Sequence, residues 1–81
     1  MSGKTNKKQK PLPKWYDGAV YTQWETVENP FTGDKALLSP NEVAMYDLIK
    51  GAEAFGKYDL VRKGLDWFRE ANAKAYMTLL D

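Results

Sequence analysis

The four residues Ser39-Pro40-Asn41-Glu42 constrain the fold of this chain more than any other segment. Ser39 is suited to cap a helix, Pro40 to take the first helical position, and Glu42 to complete a capping box. Apolar residues follow at spacings of three and four, at Met45, Leu48, Ile49, Ala52 and Phe55. The pattern predicts an amphipathic helix that begins here, buries this stripe and ends at a left-handed Gly56.

Two further helices are predicted downstream. The first runs from about residue 57 to residue 70, with Gly64 allowing a neighbouring backbone or ring to approach closely. Its apolar stripe consists of Tyr58, Val61, Leu65 and Phe68. Its charged residues have the spacing of a solvated face, as in Asp66 with Arg69. Asn72 then caps a short last helix over residues 73–80, which places Tyr76, Met77 and Leu80 together.

The segment before the first helix has β-strand character. Residues 19–28, AVYTQWETVE, are rich in β-branched and aromatic types and predict one extended strand. Residues 29–34 predict a reversal with Gly33 at positive φ, and residues 35–38 a short strand that pairs back. Two strands alone are marginal in water, so the hairpin must lie on the helices. The predicted fold class is α+β, with a short N-terminal β-hairpin or extended arm packed on two to three helices.

The charge of the chain is divided unevenly along its 81 residues. Residues 1–14 carry +5 and no acid, whereas residues 15–81 carry −4. The basic residues of the first segment are Lys4, Lys7, Lys8, Lys10 and Lys14. This segment ends in Pro11-Leu12-Pro13, which favours an extended backbone. Residues 1–14 are therefore predicted to be a disordered basic tail, and residues 15–81 a single small domain. Such a tail is solvated, contacts nucleic acid, or orders on a protein partner.

The composition removes most enzyme chemistries. The chain has no Cys and no His, which excludes disulfides, thiolate zinc sites, cysteine nucleophiles and the commonest general base. Its carboxylates fit helix caps and solvated faces, and no calcium loop or phosphate-binding glycine motif is present. We expect no catalytic residue, no cofactor and no metal. No apolar run reaches the roughly 18 residues of a membrane span, so a cytoplasmic protein without membrane contact is expected.

Four aromatic residues form the candidate binding site, and all lie within ten positions directly after the lysines. They are Trp15, Tyr16, Tyr21 and Trp24. One interpretation is that they roof the helix pair, since a domain of this size needs aromatic area for its core. The other is that they bind a partner, with Trp24 as an anchor. Aromatic residues beside a basic segment also occur in surfaces that stack nucleic-acid bases, although the tail contains no Arg.

The segments WYDGAVYTQWETVENPFTG, LSPNEVAMYDLIKGAE and KGLDWFREANAKAYMTLLD together resemble a class of small, mostly uncharacterised proteins of tailed marine cyanophages of the myovirus type. The resemblance covers roughly residues 11–81. It implies a phage origin and the cytoplasm of an infected bacterium, and it supplies no activity or catalytic residue. The predicted function is that of a non-enzymatic accessory protein that binds a protein partner. The alternatives are a nucleic-acid-associated protein that uses the lysine tail and a minor structural component of the virion.

Overall fold

A computed structural model describes residues 9–81 as an α+β fold, which confirms the predicted class. The order of elements is β1 (Glu25–Glu28), β2 (Lys35–Leu38), α1 (Pro40–Ala54), α2 (Tyr58–Ala71) and α3 (Ala73–Leu79). Of the predicted tail, Lys4, Lys7 and Lys8 lie outside the described residues. None of the helices in the described part is long and apolar enough to cross a membrane.

The two strands form an antiparallel hairpin closed by the predicted turn. The Asn29 amide donates to the Asp34 carbonyl and the Gly33 amide to the Asn29 carbonyl, each at 2.8 Å. Gly33 has a φ of 80°, a conformation that glycine adopts without strain. The Asn29 side chain donates to the Thr78 carbonyl of α3 at 2.9 Å. The hairpin therefore lies on the helices, as its small size requires.

The first strand is shorter than predicted. In the sheet register Glu25 pairs with Leu38, and the next residue, Ser39, is already the N-cap of α1. The partner strand ends at that point, so residues 19–24 have nothing to pair with in the hairpin. The prediction of one strand over residues 19–28 is wrong for its first six positions, because helix capping overrides their β propensity.

The first helix begins as predicted, with both hydrogen bonds of the capping box. The Glu42 amide donates to Ser39 Oγ at 3.3 Å, and the Ser39 amide donates to Glu42 Oε1 at 3.0 Å. Gly56 follows the helix with a φ of 71°. Both side chains of the box are buried, so water does not compete for these hydrogen bonds.

The core lies between α1, α2, α3 and β2, with Leu38, Met45, Ile49 and Phe68 fully buried. Gly64 on α2 allows a close approach, as expected, but the neighbour is the aliphatic side chain of Ile49 on α1 and not a backbone or a ring. A Cβ at position 64 would lie 2.6 Å from Ile49 Cγ1, which is closer than real Cβ atoms approach. The absence of a side chain at this glycine thus sets how closely the two helices pack.

Two residues assigned to apolar stripes, Phe55 and Tyr58, are exposed instead, and so is Met77 of the last helix. The side chains of Phe55 and Tyr58 are 80% and 70% exposed, and Met77 is 67% exposed. Phe55 and Tyr58 flank the turn at Gly56, where α1 has ended and α2 is only beginning. Helical spacing does not indicate which positions lie beyond the region of contact between two helices. The prediction that Phe55 and Tyr58 lie in the core is therefore wrong.

Asn72 caps α3 as predicted and makes a second contact that the sequence did not indicate. Its Oδ1 accepts from the Ala75 amide at 3.1 Å. Its Nδ2 donates to Glu42 Oε1, also at 3.1 Å. One carboxylate oxygen thus accepts from the cap residue of α1 and from the cap residue of α3. The starts of the two helices are joined through Glu42.

Candidate functional site

The N-terminal residues of the described chain lie along α2. Lys10 Nζ is 3.4 Å from Glu70 Oε1, and the carbonyl of Pro11 accepts from Trp67 Nε1 at 3.0 Å. Lys63 Nζ lies 5.5 Å from the centroid of the Trp15 ring. As the chain advances from residue 10 to residue 15, its contacts on α2 move back from residue 70 to residue 63. The segment therefore runs antiparallel to this helix.

The same segment also contacts the start of α1. The Asn41 amide donates to Oε1 of Gln9 at 2.8 Å, and Asn41 Nδ2 donates to the Lys10 carbonyl at 3.0 Å. Leu12 is partly buried against the core, whereas Lys14 is exposed. Gln9 and Lys10, which the sequence assigned to the tail, thus contact the helices.

Trp15 and Tyr16 pack on the core, as the roof interpretation expects. Both side chains are partly buried. The Tyr16 hydroxyl donates to the carbonyl of Ala19 and lies 3.4 Å from the carbonyl of Ala44 on α1. Burial raises the pKa of Tyr16 above its ordinary value, and the negative charge of Asp47 raises it further. These two aromatics therefore cover the helices.

Residues 19–24, which we call the aromatic arm, are all exposed. Within the arm the side chains of Val20, Tyr21 and Trp24 are 71%, 40% and 42% exposed. The four aromatic residues predicted as one site are thus divided by burial. Tyr21 and Trp24 are accessible to a partner, while Trp15 and Tyr16 belong largely to the domain itself.

The aromatic arm is held against α1 by two tyrosine hydroxyls. Tyr16 contacts the carbonyl of Ala44, and Tyr21 donates to Asp47 Oδ2 at 2.8 Å. Residues 44 and 47 are three apart and hence neighbours on the helix surface. The hydrogen bond to the Asp47 carboxylate raises the pKa of Tyr21 above its ordinary value. The arm is consequently exposed along its length but anchored at Tyr21, and at Ala19 by the hydroxyl of Tyr16.

Other apolar side chains are exposed elsewhere on the surface. Phe31, at the hairpin turn, is 94% exposed, and Phe55 and Tyr58 flank the turn between α1 and α2. Sequence reasoning did not select these residues as binding candidates. The turn-forming residues around Phe31 indicated that its side chain would be exposed, because turns lie at the surface of a protein.

A shallow groove of about 210 Å³ lies between β2 and α3, with Lys35, Asn72 and Lys74 among its lining residues. Pockets for drug-sized ligands span about 300–1,000 Å³, so this groove is small for such a molecule. In the part of the chain that the structure describes, no group of three or more acidic residues is placed to hold a metal ion.

Three carboxylates serve structural contacts. Glu42 accepts from two helix caps, Asp66 lies 3.0 Å from Arg69, and Glu53 lies 3.8 Å from Lys50. The pairing of Asp66 with Arg69 matches the solvated face predicted for α2. General acid–base catalysis requires a positioned proton donor or acceptor in a site that admits a substrate. The arrangement around these three carboxylates is that of caps and surface ion pairs.

Comparisons of the chain with protein-family models, with curated proteins and with solved structures find no match. The functional argument therefore rests on the exposed residues and their anchoring contacts.

Proposed function

We propose that the chain is a small non-enzymatic binding protein that engages a protein partner through Val20, Tyr21 and Trp24 of the aromatic arm. The observation that carries the proposal is that these side chains are exposed on a segment anchored to α1 by the Tyr21–Asp47 hydrogen bond. Trp and Tyr are the residues that most often dominate binding energy at protein interfaces. Anchoring lowers the conformational entropy that the arm loses when it binds.

The backbone of the aromatic arm supports the same function. Residues 20–23 make no hydrogen bond to other backbone groups within residues 9–81. These residues are exposed, so a partner can reach their amide and carbonyl groups. The arm leads directly into β1 and keeps the β-branched and aromatic composition of a strand. Exposed segments of this kind are recognised by main-chain hydrogen bonds together with side-chain contacts.

The setting of this function is part of the proposal. The resemblance to cyanophage proteins supports an accessory protein of a phage, acting in the cytoplasm of the infected bacterium. The nucleic-acid alternative receives less support from the described residues, because Lys10 pairs with Glu70 and Lys63 lies over Trp15. Single-stranded oligonucleotides that quench tryptophan fluorescence at low salt, with affinity falling as salt rises, would favour that alternative. Detection of the protein in purified particles would favour a virion component.

The test is capture of partners by the full-length chain from a host lysate, with quantitative mass spectrometry of the captured proteins. We expect Trp24→Ala and Tyr21→Ala to abolish capture of a protein that the wild type retains. Phe31→Ala is the matched control, because Phe31 is a more exposed aromatic outside the arm. It should retain the partner.

Thermal unfolding of the same variants separates loss of binding from loss of fold. Trp24→Ala should lower the melting temperature by less than Phe68→Ala, because Trp24 is 42% exposed whereas Phe68 is fully buried. A large drop would show that Trp24 supports the core, and equal capture by wild type and Trp24→Ala would contradict the proposed site.

A further inference from the structure

Two side chains from different helices bind consecutive carbonyl groups of the N-terminal segment. Asn41 Nδ2 of α1 donates to the carbonyl of Lys10, and Trp67 Nε1 of α2 donates to the carbonyl of Pro11, each at 3.0 Å. Trp67 is only 7% exposed. A buried indole N–H needs an acceptor, and here that acceptor is the backbone of a distant segment.

The segment bound in this way has the chemistry of a proline-rich ligand. Pro11 and Pro13 favour an extended backbone that carries no internal hydrogen bonds. Leu12, between them, packs partly against the core, and Lys10 pairs with Glu70 at 3.4 Å. Backbone carbonyls, an apolar side chain and a basic residue are thus each contacted. Grooves that recognise proline-rich peptides likewise dock a preformed extended backbone against aromatic side chains.

We propose that Asn41, Trp67 and Glu70 form a binding groove for an extended, basic, proline-containing peptide. Residues 10–13 are its resident ligand, and a partner segment of the type Lys-Pro-apolar-Pro displaces them. The groove is separate from the aromatic arm, so this inference does not depend on the proposed function.

A partner peptide can displace residues 10–13 from the groove because each contact of this segment is individually weak. A single hydrogen bond adds little net stability because it replaces hydrogen bonds to water, and an exposed ion pair adds less. The advantage of the resident segment is its tether. The Tyr16 amide donates to the carbonyl of Pro13 at 3.0 Å, which turns the chain immediately after the bound residues. So short a connection holds the ligand at an effective concentration in the millimolar range.

The experiment measures binding of a fluorescein-labelled peptide, Gln-Lys-Pro-Leu-Pro-Lys, to the full-length chain by fluorescence anisotropy. A variant with a loosened segment carries Lys10→Glu, Pro11→Gly and Leu12→Ala, which removes the ion pair with Glu70 and the apolar contact of Leu12 and makes the bound backbone more flexible. The groove residues are unchanged. We expect this variant to bind the peptide at least about tenfold more tightly than wild type, because the tethered competitor is weakened. A scrambled peptide that separates the basic residue from the prolines should not saturate.

Substitutions in the groove complete the test in the loosened variant. Trp67→Phe keeps an aromatic ring but lacks the N–H, and Asn41→Ala lacks the amide donor, so each should weaken peptide binding several-fold. Phe31 is at the hairpin turn and outside the groove, so Phe31→Ala should leave the affinity for the peptide unchanged. Circular dichroism checks that each variant is folded. If Trp67→Phe does not fold, Asn41→Ala alone tests the groove.

The proposal is overturned if the loosened variant and the wild type bind the peptide equally, or if the scrambled peptide binds as well. It is also overturned if neither groove substitution changes the affinity. A wild-type dimer in sedimentation velocity that the loosened variant does not form would show that a second copy supplies the ligand, and would overturn the proposal of a separate partner peptide.

Discussion

The hydroxyl of Tyr21 donates to Oδ2 of Asp47, 2.8 Å away and 26 residues further along the chain. This contact joins an exposed arm to the first helix. It also links the conformation of the arm to pH, because a neutral phenol donates to the carboxylate and a phenolate is repelled by it.

Removing the charge of Asp47 should lower the pKa of Tyr21. The hydrogen bond to Asp47, followed by the charge of Asp47, raises that pKa above the ordinary 10.0. The contact therefore contributes stability that is fully present below the unfolded pKa and is lost as pH rises through the folded pKa. Absorbance titration at 295 nm of wild type against Tyr21→Phe isolates this phenol. Asp47→Asn should return its titration toward 10.0; a titration that does not respond to this change would contradict the contact.

Two helical glycines should respond oppositely to alanine. At Gly51 a Cβ would meet nothing within 4 Å, so Gly51→Ala should stabilise the protein by up to about 1 kcal/mol through helix propensity. At Gly64 a Cβ would lie 2.6 Å from Ile49 Cγ1, inside the core. Overpacking of this kind costs about 1–3 kcal/mol, so Gly64→Ala should destabilise despite the same propensity gain.

Urea denaturation of the two glycine variants beside wild type measures both changes in the free energy of unfolding. If Gly64→Ala were as stable as Gly51→Ala, the close packing of α1 on α2 at this position would be wrong.

Glu42 should matter more to stability than its capping partner. Ser39→Ala loses one side-chain cap and should cost about 1 kcal/mol. Glu42→Ala loses hydrogen bonds from the Ser39 amide and from Asn72, and leaves both buried or partly buried donors without that acceptor. An unsatisfied buried donor costs about 1–3 kcal/mol, so we expect the larger loss for Glu42→Ala.

Equilibrium urea unfolding ranks the two capping variants. Glu42→Gln is the matched control, because its amide oxygen can still accept, and it should retain part of the lost stability. Equal losses for Ser39→Ala and Glu42→Ala would show that Glu42 acts only within its own helix.

Two phenylalanines that sequence spacing placed in apolar stripes should behave differently. Phe68 is fully buried, and Phe68→Ala should cost about 3–5 kcal/mol. Phe55 is 80% exposed, and Phe55→Ala should change the free energy of unfolding by no more than about 0.5 kcal/mol. Thermal and urea unfolding measure both, and a large loss at Phe55 would place it in the core after all.

The local signals of the sequence predicted the fold well where one short segment determines its own structure. The capping box at Ser39, the glycine of the hairpin turn at Gly33 and the cap at Asn72 all form as expected. Each depends on hydrogen bonds or φ angles within a few residues, which the residue types alone specify.

The predictions that failed depended on distant residues. Residues 19–24 have the propensity of a strand, but a strand needs a partner, and β2 gives way to α1 at Ser39. Lys10 and Pro11 are arranged by Asn41 and Trp67, which lie 31 and 56 residues away. The candidate site was therefore predicted only in part. The aromatic types were recognised, but separating exposed Tyr21 from covered Trp15 required the tertiary structure.

The double role of Asn72 limits what this position tolerates. Ser, Asp and Asn are nearly equivalent as helix caps, yet of these only Asn offers an amide N–H₂ to Glu42 while its oxygen accepts from Ala75. Spontaneous deamidation of Asn72 to Asp would preserve the cap of α3 and set a second carboxylate against Glu42. Deamidation of this one partly buried amide would thus replace an attraction between two helix starts by a repulsion.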